Sequence, residues 1–297
     1  LSNAQEELAQ AQERIRQQQT EEVPSTEEVV ADIQNKLVGT KGKELAGLPI
    51  QKVTEKEDYI KGLIYAVPGA GKTYLCGSAA KVERMSPVLF IDIEGGTKTV
   101  RAEFPEVDVL RVRDEFDAKG KLKKTSWEKL QEVYEDLRKG VDYKTVVVDS
   151  LTEAQKMSMY SVMMRTVQGD PMRDPDIPAQ RDWGKSGEMV RRMVRAFRDL
   201  DCHVLFTALE NSVKDAKDGT VTIMPSLPGK LASEISAFMD VVLYLYARPE
   251  RDGDETKIMR KVLTQPTGKY IAKDRSGKLP TTLDNPTMST IAELYLD

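Results

Sequence analysis

The run Leu63-Ile64-Tyr65-Ala66-Val67-Pro68-Gly69-Ala70-Gly71-Lys72-Thr73-Tyr74-Leu75 constrains this chain more than any other stretch. An apolar, strand-like segment ends in a loop with two glycines, and a Lys-Thr pair opens a helix-like segment. Gly69 and Gly71 free the backbone to turn its N–H groups inward around an anion. A helix start adds its positive end at the same point. This is the pattern of a phosphate-binding loop, with Ala66 at the first position in place of glycine. It assigns Pro68, Gly69, Ala70, Gly71, Lys72, Thr73 and Tyr74 to nucleotide binding. Lys72 would reach the β- and γ-phosphates, and the Thr73 hydroxyl would hold Mg²⁺.

Downstream, apolar runs alternate with helical patterns. Strands are expected over 62–66, 87–93, 107–112, 145–148 and 203–207, and helices over 72–82, 125–139, 151–167, 185–200 and 231–237. Thr125-Ser126-Trp127-Glu128 is a capping box that opens one of these helices. Three further strands, near 241–246, 257–263 and 270–272, precede a short terminal helix that starts after Ser289 or Thr290. The polar stretches 168–183 and 210–220 read as long loops, which inside compact domains are often functional. The alternation predicts an α/β fold: a mostly parallel sheet with helices on both faces and a C-terminal antiparallel strand extension. Ligands of such sheets bind at the C-terminal strand ends. That rule gathers 69–73, Glu94, Asp149 and 207–210 at one edge.

Two acids at that edge are candidates for chemistry, beside the plainer readings of a helix cap at Asp149-Ser150 and a turn acid at Glu94 before Gly95-Gly96. Asp149 follows Val146-Val147-Val148, the form of the second Mg²⁺-site motif, and a carboxylate there can hold a water of the Mg²⁺ shell. Glu94 reads as the end of a buried strand, where an acid is costly unless it is used. Beside a γ-phosphate it would orient or deprotonate the attacking water.

Composition sets the bounds. The 297 residues carry a net charge of −4, and residues 1–47 alone hold nine acids and five bases. The rest is neutral overall, so any nucleic-acid surface must be local. Residues 1–47 read as an N-terminal arm, partly disordered. It contains a short amphipathic helix capped at Ser25, while 48–297 forms the main domain. No apolar run approaches the ~20 residues of a membrane span, and the Gln- and Glu-rich start has no secretory signal. Cys76 and Cys202 make neither a metal pattern nor a disulfide framework, and free thiols fit a cytoplasmic setting. The lone His203 is expected in a strand rather than in a catalytic site.

The order of phosphate loop, Phe90-Ile91-Asp92-Ile93-Glu94, Val147-Val148-Asp149-Ser150 and then a buried strand with a polar end resembles the RecA-fold ATPases. Ser226-Leu227-Pro228-Gly229-Lys230-Leu231 and Lys273-Asp274-Arg275-Ser276-Gly277-Lys278-Leu279-Pro280 are more similar to phage-encoded RecA-like nucleotide-binding proteins. Some of those assist single-strand annealing and recombination. The likeness spans roughly 49–297 and implies a RecA-like P-loop NTPase that binds and hydrolyses ATP with Mg²⁺. It implies that the 203–207 strand lies between the phosphate-loop strand and the Asp149 strand, with the Glu94 strand beyond. RecA ends that strand in a Gln sensor; this chain offers Thr207 and Asn211 as candidates.

Lys273-x-Arg275 resembles a pair that ring- and filament-forming relatives supply across a subunit interface to the neighbour's γ-phosphate. That implies a homo-oligomer, either ring or filament, with Lys273 and Arg275 as catalytic cations beside Lys72 and Glu94. The two long loops match RecA's DNA-binding loops by position, so Lys185, Arg191, Arg192, Lys214 and Lys217 are candidates for single-stranded DNA. Only Trp183 is aromatic there, and four aspartates dilute the charge. Three readings remain open: a DNA-stimulated ATPase of phage recombination or replication, a nucleotide-gated scaffold with little turnover, and a ring-forming translocase. No membrane partner is implied.

Overall fold

Successive residues of a strand face opposite sides, so unbroken apolar runs need cover on both faces. A computed structural model supplies that cover. It describes residues 44–46, 48–49 and 58–296, apart from 141, 217, 253 and 254. The Ser25-capped helix and Lys217 therefore lie outside the described residues. The chain divides into two units, Leu1–Glu57 and Asp58–Asp297. In the first, β1 (Glu44–Leu45) and β2 (Leu48–Pro49) pair antiparallel.

The second unit starts with β3 (Lys61–Ala66), α1 (Lys72–Gly77), β4 (Val88–Asp92), α2 (Lys98–Glu103) and β5 (Asp108–Arg111). A hairpin of β6 (Glu115–Phe116) and β7 (Leu122–Lys124) precedes α3 (Ser126–Arg138). Then come β8 (Thr145–Asp149), α4 (Leu151–Gly169) and α5 (Gln180–Arg198). They are followed by β9 (His203–Lys214), β10 (Val221–Pro225) and α6 (Leu231–Phe238). The end comprises β11 (Val241–Asp252), β12 (Glu255–Leu263), β13 (Lys273–Asp274), β14 (Thr282–Asp284) and α7 (Met288–Leu296).

The main sheet has the order β14-β12-β11-β3-β9-β8-β4-β5. From β11 to β5 every neighbouring pair is parallel. β12 and β14 extend it antiparallel, but the third strand expected near 270–272 does not form: Tyr270 makes only isolated bridges, and the edge is β14, where the sequence raises no expectation of a strand. β9 lies between β3 and β8, with β4 beyond, the order the RecA likeness implies. Alternation sorts the core. Leu63, Tyr65, Ile91, Val146, Val148, Val204 and Phe206 pack with Trp127, Leu130, Val190, Phe197 and Ile235. Ile64, Ala66, Phe90, Val147 and Leu205 pack on the other face with Leu75, Cys76 and Ile291.

Several boundaries differ from expectation, each for a local reason. The capping box at Thr125 is present, with Glu128 returning its carboxylate to the Thr125 N–H at 2.8 Å. The helix expected over 72–82 stops at Gly77 and tightens into a 3₁₀ turn over Ser78–Lys81. There the Ser78 hydroxyl donates to the Leu75 carbonyl at 2.6 Å and competes for a helical acceptor. The loop expected over 168–183 is shorter, because α5 starts at Gln180: Asp182 accepts from the Ala179 N–H at 2.8 Å. The loop expected over 210–220 is instead a hairpin, with Lys214 opposite Val221 and Pro225 opposite Glu210.

His203 opens β9 and is 3% exposed. Its Nδ1 accepts the Ile60 N–H at 3.0 Å, and burial holds the imidazole down at about 4. An unfolded histidine titrates near 6.5. Between those values the unfolded chain binds the proton and the folded chain does not. Stability is therefore full above about 6.5 and falls as the pH drops towards 4, by up to about 3 kcal/mol from this residue. His203→Asn keeps an acceptor for Ile60 but cannot protonate. In urea titrations at several pH values, wild type should lose stability relative to this variant across that window. A gap that stays constant with pH refutes the assignment.

Candidate active site

The carboxyl ends of β3, β9, β8 and β4 bring the predicted residues together. Val67, Pro68 and Gly69 are exposed, whereas Ala70 is buried. Gly69 and Gly71 adopt φ of 77° and 109°, a region that side chains disfavour. Gly71 is the N-cap of α1, and no side chain caps that helix start. Its first amides are thus left to an external acceptor. Lys72 is buried and turns back over the loop, donating to the carbonyls of Val67 at 3.2 Å and Ala66 at 3.4 Å. Burial lowers its ammonium below the usual lysine range, while the charges of Glu94, Asp149 and Glu210 act in the opposite sense. Tyr74 is partly exposed and leans on Phe104, with ring centroids 5.2 Å apart.

Asp149 closes β8 and is buried. Its Oδ2 accepts from the Thr73 hydroxyl at 2.9 Å, and its Oδ1 accepts from the Thr207 hydroxyl on β9. Thr207 is therefore committed to positioning Asp149, a role the sequence does not signal. The other sensor candidate, Asn211, is exposed on the hairpin opposite Met224. Between them, Glu210 stands near the Tyr244 phenol, which burial and then this carboxylate push up, and the Glu210 Oε2 is buried with no hydrogen-bond partner among the described residues.

The residues on β4 correct one premise. The strand ends at Asp92, not at Glu94, and the fully buried acid is Asp92. Asp92 accepts from the Gly95 N–H at 2.7 Å and the Thr97 hydroxyl at 3.2 Å, so its burial is accounted for by building the turn. Glu94 stands just past the strand and is exposed. It is nevertheless held at the site: its N–H donates to the Asp149 carbonyl at 3.2 Å, and its carboxylate accepts from the Ser150 hydroxyl. Arg113, which sequence reasoning missed, braces this turn by donating to the carbonyls of Ile93 at 3.1 Å and Val112 at 2.8 Å.

A hydroxyl and a carboxylate in contact form an oxygen donor pair suited to Mg²⁺, which keeps several waters and shares phosphate ligands. Among the described residues no group of three or more His, Cys, Asp or Glu gathers into an all-protein metal cage. Thr73 and Asp149 fit a Mg²⁺ that arrives with a polyphosphate.

The remaining candidates lie apart. β13 pairs with the start of β11, with Val242 opposite Lys273, and Val242 is also level with Leu63 at the start of β3. Lys273 donates to the carbonyls of Met239 at 2.6 Å and Ala237 at 3.0 Å, and partial burial lowers its ammonium. Arg275 pairs with Asp240 at 2.5 Å. Arg191 is engaged by Glu234 at 2.5 Å, which raises its guanidinium, and Arg192 by Glu188 at 3.6 Å. Lys185 lines a groove of about 520 Å³ between α4 and α5 with Arg165 and Met189. Lys214 is exposed on the β9–β10 hairpin. No described helix is long and apolar enough to cross a membrane.

Among known families, the model of one described as AAA domain fits residues 58–276. No curated protein matches the chain.

Proposed function

The chain belongs to the AAA domain family, and from that premise we propose that it is a RecA-like, Mg²⁺-dependent ATPase that works on single-stranded DNA as an assembly of copies. The observation that carries the nucleotide reading is the contact of Thr73 with Asp149 at 2.9 Å, beside Glu94. The loop amides and Lys72 bind the polyphosphate. Thr73 and Asp149 would hold Mg²⁺, which when bound offsets phosphate charge. Glu94 orients a water towards the γ-phosphorus and accepts its proton. The new P–O bond forms as the bond to the β-phosphate oxygen breaks, and ADP leaves.

The assembly reading rests on Lys273 and Arg275. They sit level with the start of β11, roughly 13 Å along the strands from the phosphate loop, taking ~3.3 Å per residue. Such cations serve a neighbour's site more readily than their own. The DNA reading is supported by Trp183, 43% exposed and close in sequence to Lys185, which offers a stacking face near a cation. A place in phage recombination or replication rests on the likeness of 226–231 and 273–280 alone. The engagement of Arg191 and Arg192 by acids favours the second reading, an assembly module with little turnover.

One experiment separates them: ATP hydrolysis with and without single-stranded DNA, beside the mass in solution with Mg²⁺ and ATP. The first reading expects a rate per subunit that rises with DNA and with protein concentration. ATP-dependent assembly without DNA stimulation transfers support to the module. A monomer with a constant, DNA-independent rate overturns both the assembly and the DNA readings.

A further inference from the structure

The flank of the phosphate loop away from Asp149 and Glu94 is built by the antiparallel strands. Leu245 lies opposite Val262, and Ala247 opposite Arg260. Directly opposed and alternate residues share a sheet face, so Leu245, Val262 and Arg260 form one stripe. Leu245 and Val262 are buried in the core that also holds Leu75 and Cys76 of α1. Arg260 continues the stripe past the core and is exposed.

This arginine rests on the loop itself. A Cβ placed on Gly71 would lie 3.2 Å from Arg260 Nε and 3.9 Å from Leu245 Cδ2. The backbone beneath it is pinned: the Asn285 N–H donates to the Arg260 carbonyl at 2.6 Å, and the Arg260 N–H donates to Asn285 Oδ1 at 3.2 Å. Among the described residues the guanidinium makes no ion pair or hydrogen bond. Arg191 and Arg275 are matched to acids, whereas Arg101 and Arg113, like Arg260, form no ion pair with a described acid; of these three only Arg260 lies against Gly71. A cation anchored against the phosphate loop without an acid is matched to an anion from outside.

We propose that Arg260 binds the nucleotide in cis, at the α- and β-phosphate end. The sheet order decides which end. β11 and β12 lie on one side of β3, whereas β9, β8 and β4, with Thr207, Asp149 and Glu94, lie on the other. The terminal phosphate must face the acids that act on it, which leaves Arg260 the phosphates that ATP and ADP share. The guanidinium therefore adds affinity for both nucleotides and does not read the γ-phosphate.

The inference rests on the phosphate-loop reading, and titration calorimetry of Mg²⁺–ATP and Mg²⁺–ADP tests it. Arg260→Gln keeps the stem on Gly71 and removes the charge. It should weaken both nucleotides alike, roughly tenfold or more, the loss expected of one charged hydrogen bond. Arg260→Lys should recover part of the loss for both. Unchanged affinity in a folded Arg260→Gln protein overturns the inference alone. A loss for ATP with ADP unaffected also overturns it, because Arg260 would then face the terminal phosphate. Wild-type protein that binds neither nucleotide overturns the phosphate-loop reading and this inference with it.

Discussion

Glu94→Gln should bind ATP as wild type does and hydrolyse it about a hundredfold more slowly or worse, the range of general-base effects. The substitution is conservative in the geometry that matters. Glutamine keeps an oxygen to accept the Ser150 hydroxyl, and the Glu94 N–H bond to the Asp149 carbonyl is untouched. Ser150 also caps α4 by accepting from the Glu153 N–H at 3.4 Å, so the side chain leans on a fixed helix start. What is lost is the capacity to accept a proton from water. Glu94 is exposed, so its change should leave the thermal midpoint near that of wild type. A single-turnover rate equal to wild type, with ATP saturating, would place the base elsewhere and remove Glu94 from the mechanism.

Lys72→Ala should lose most of its affinity for Mg²⁺–ATP, by about ten- to a hundredfold, since a hydrogen bond to a charged group contributes ~1.5–3 kcal/mol. The fold should persist. The ammonium is buried against two carbonyls of its own loop, and burial lowers its pKa because it carries a desolvation cost. Its removal therefore costs little stability. Circular dichroism and calorimetry on one preparation decide the matter. A folded variant that binds ATP like wild type would show that the loop does not hold the polyphosphate through this lysine.

Much of this arrangement is legible in the chain itself, for physical reasons. The phosphate loop announces itself because an anion cradle needs glycine at positions of positive φ, as found at Gly69 and Gly71. The central strands announce themselves because a strand covered on both faces cannot afford polar interruptions. The Thr125 box is visible because its two partners stand three residues apart. The first strand of the hairpin after Thr207 is hidden by polarity: residues 211–214 are exposed, so no buried alternation marks them, although Ile223 and Met224 on its return strand pack against the core. Asp218-Gly219 at its tip was the available signal. Glu94 and Asp92 exchange places because burial of one acid rather than its neighbour follows from where the strand stops, and turn hydrogen bonds decide that. Arg113 and Arg260 are invisible to spacing, since each reaches the site from a strand or loop remote in sequence.

β9 passes through three environments without a break. It starts in the core at His203, meets the Asp149 carboxylate at Thr207, and ends on the surface at Lys214. Pairing with β10 stiffens its outer half, and the tip lies about 23 Å from Thr207 along the strand, at ~3.3 Å per residue. The strand's inner half touches Asp149 through Thr207, and its outer half is in solvent. One unbroken stretch of backbone therefore joins the Asp149 contact to an exposed tip.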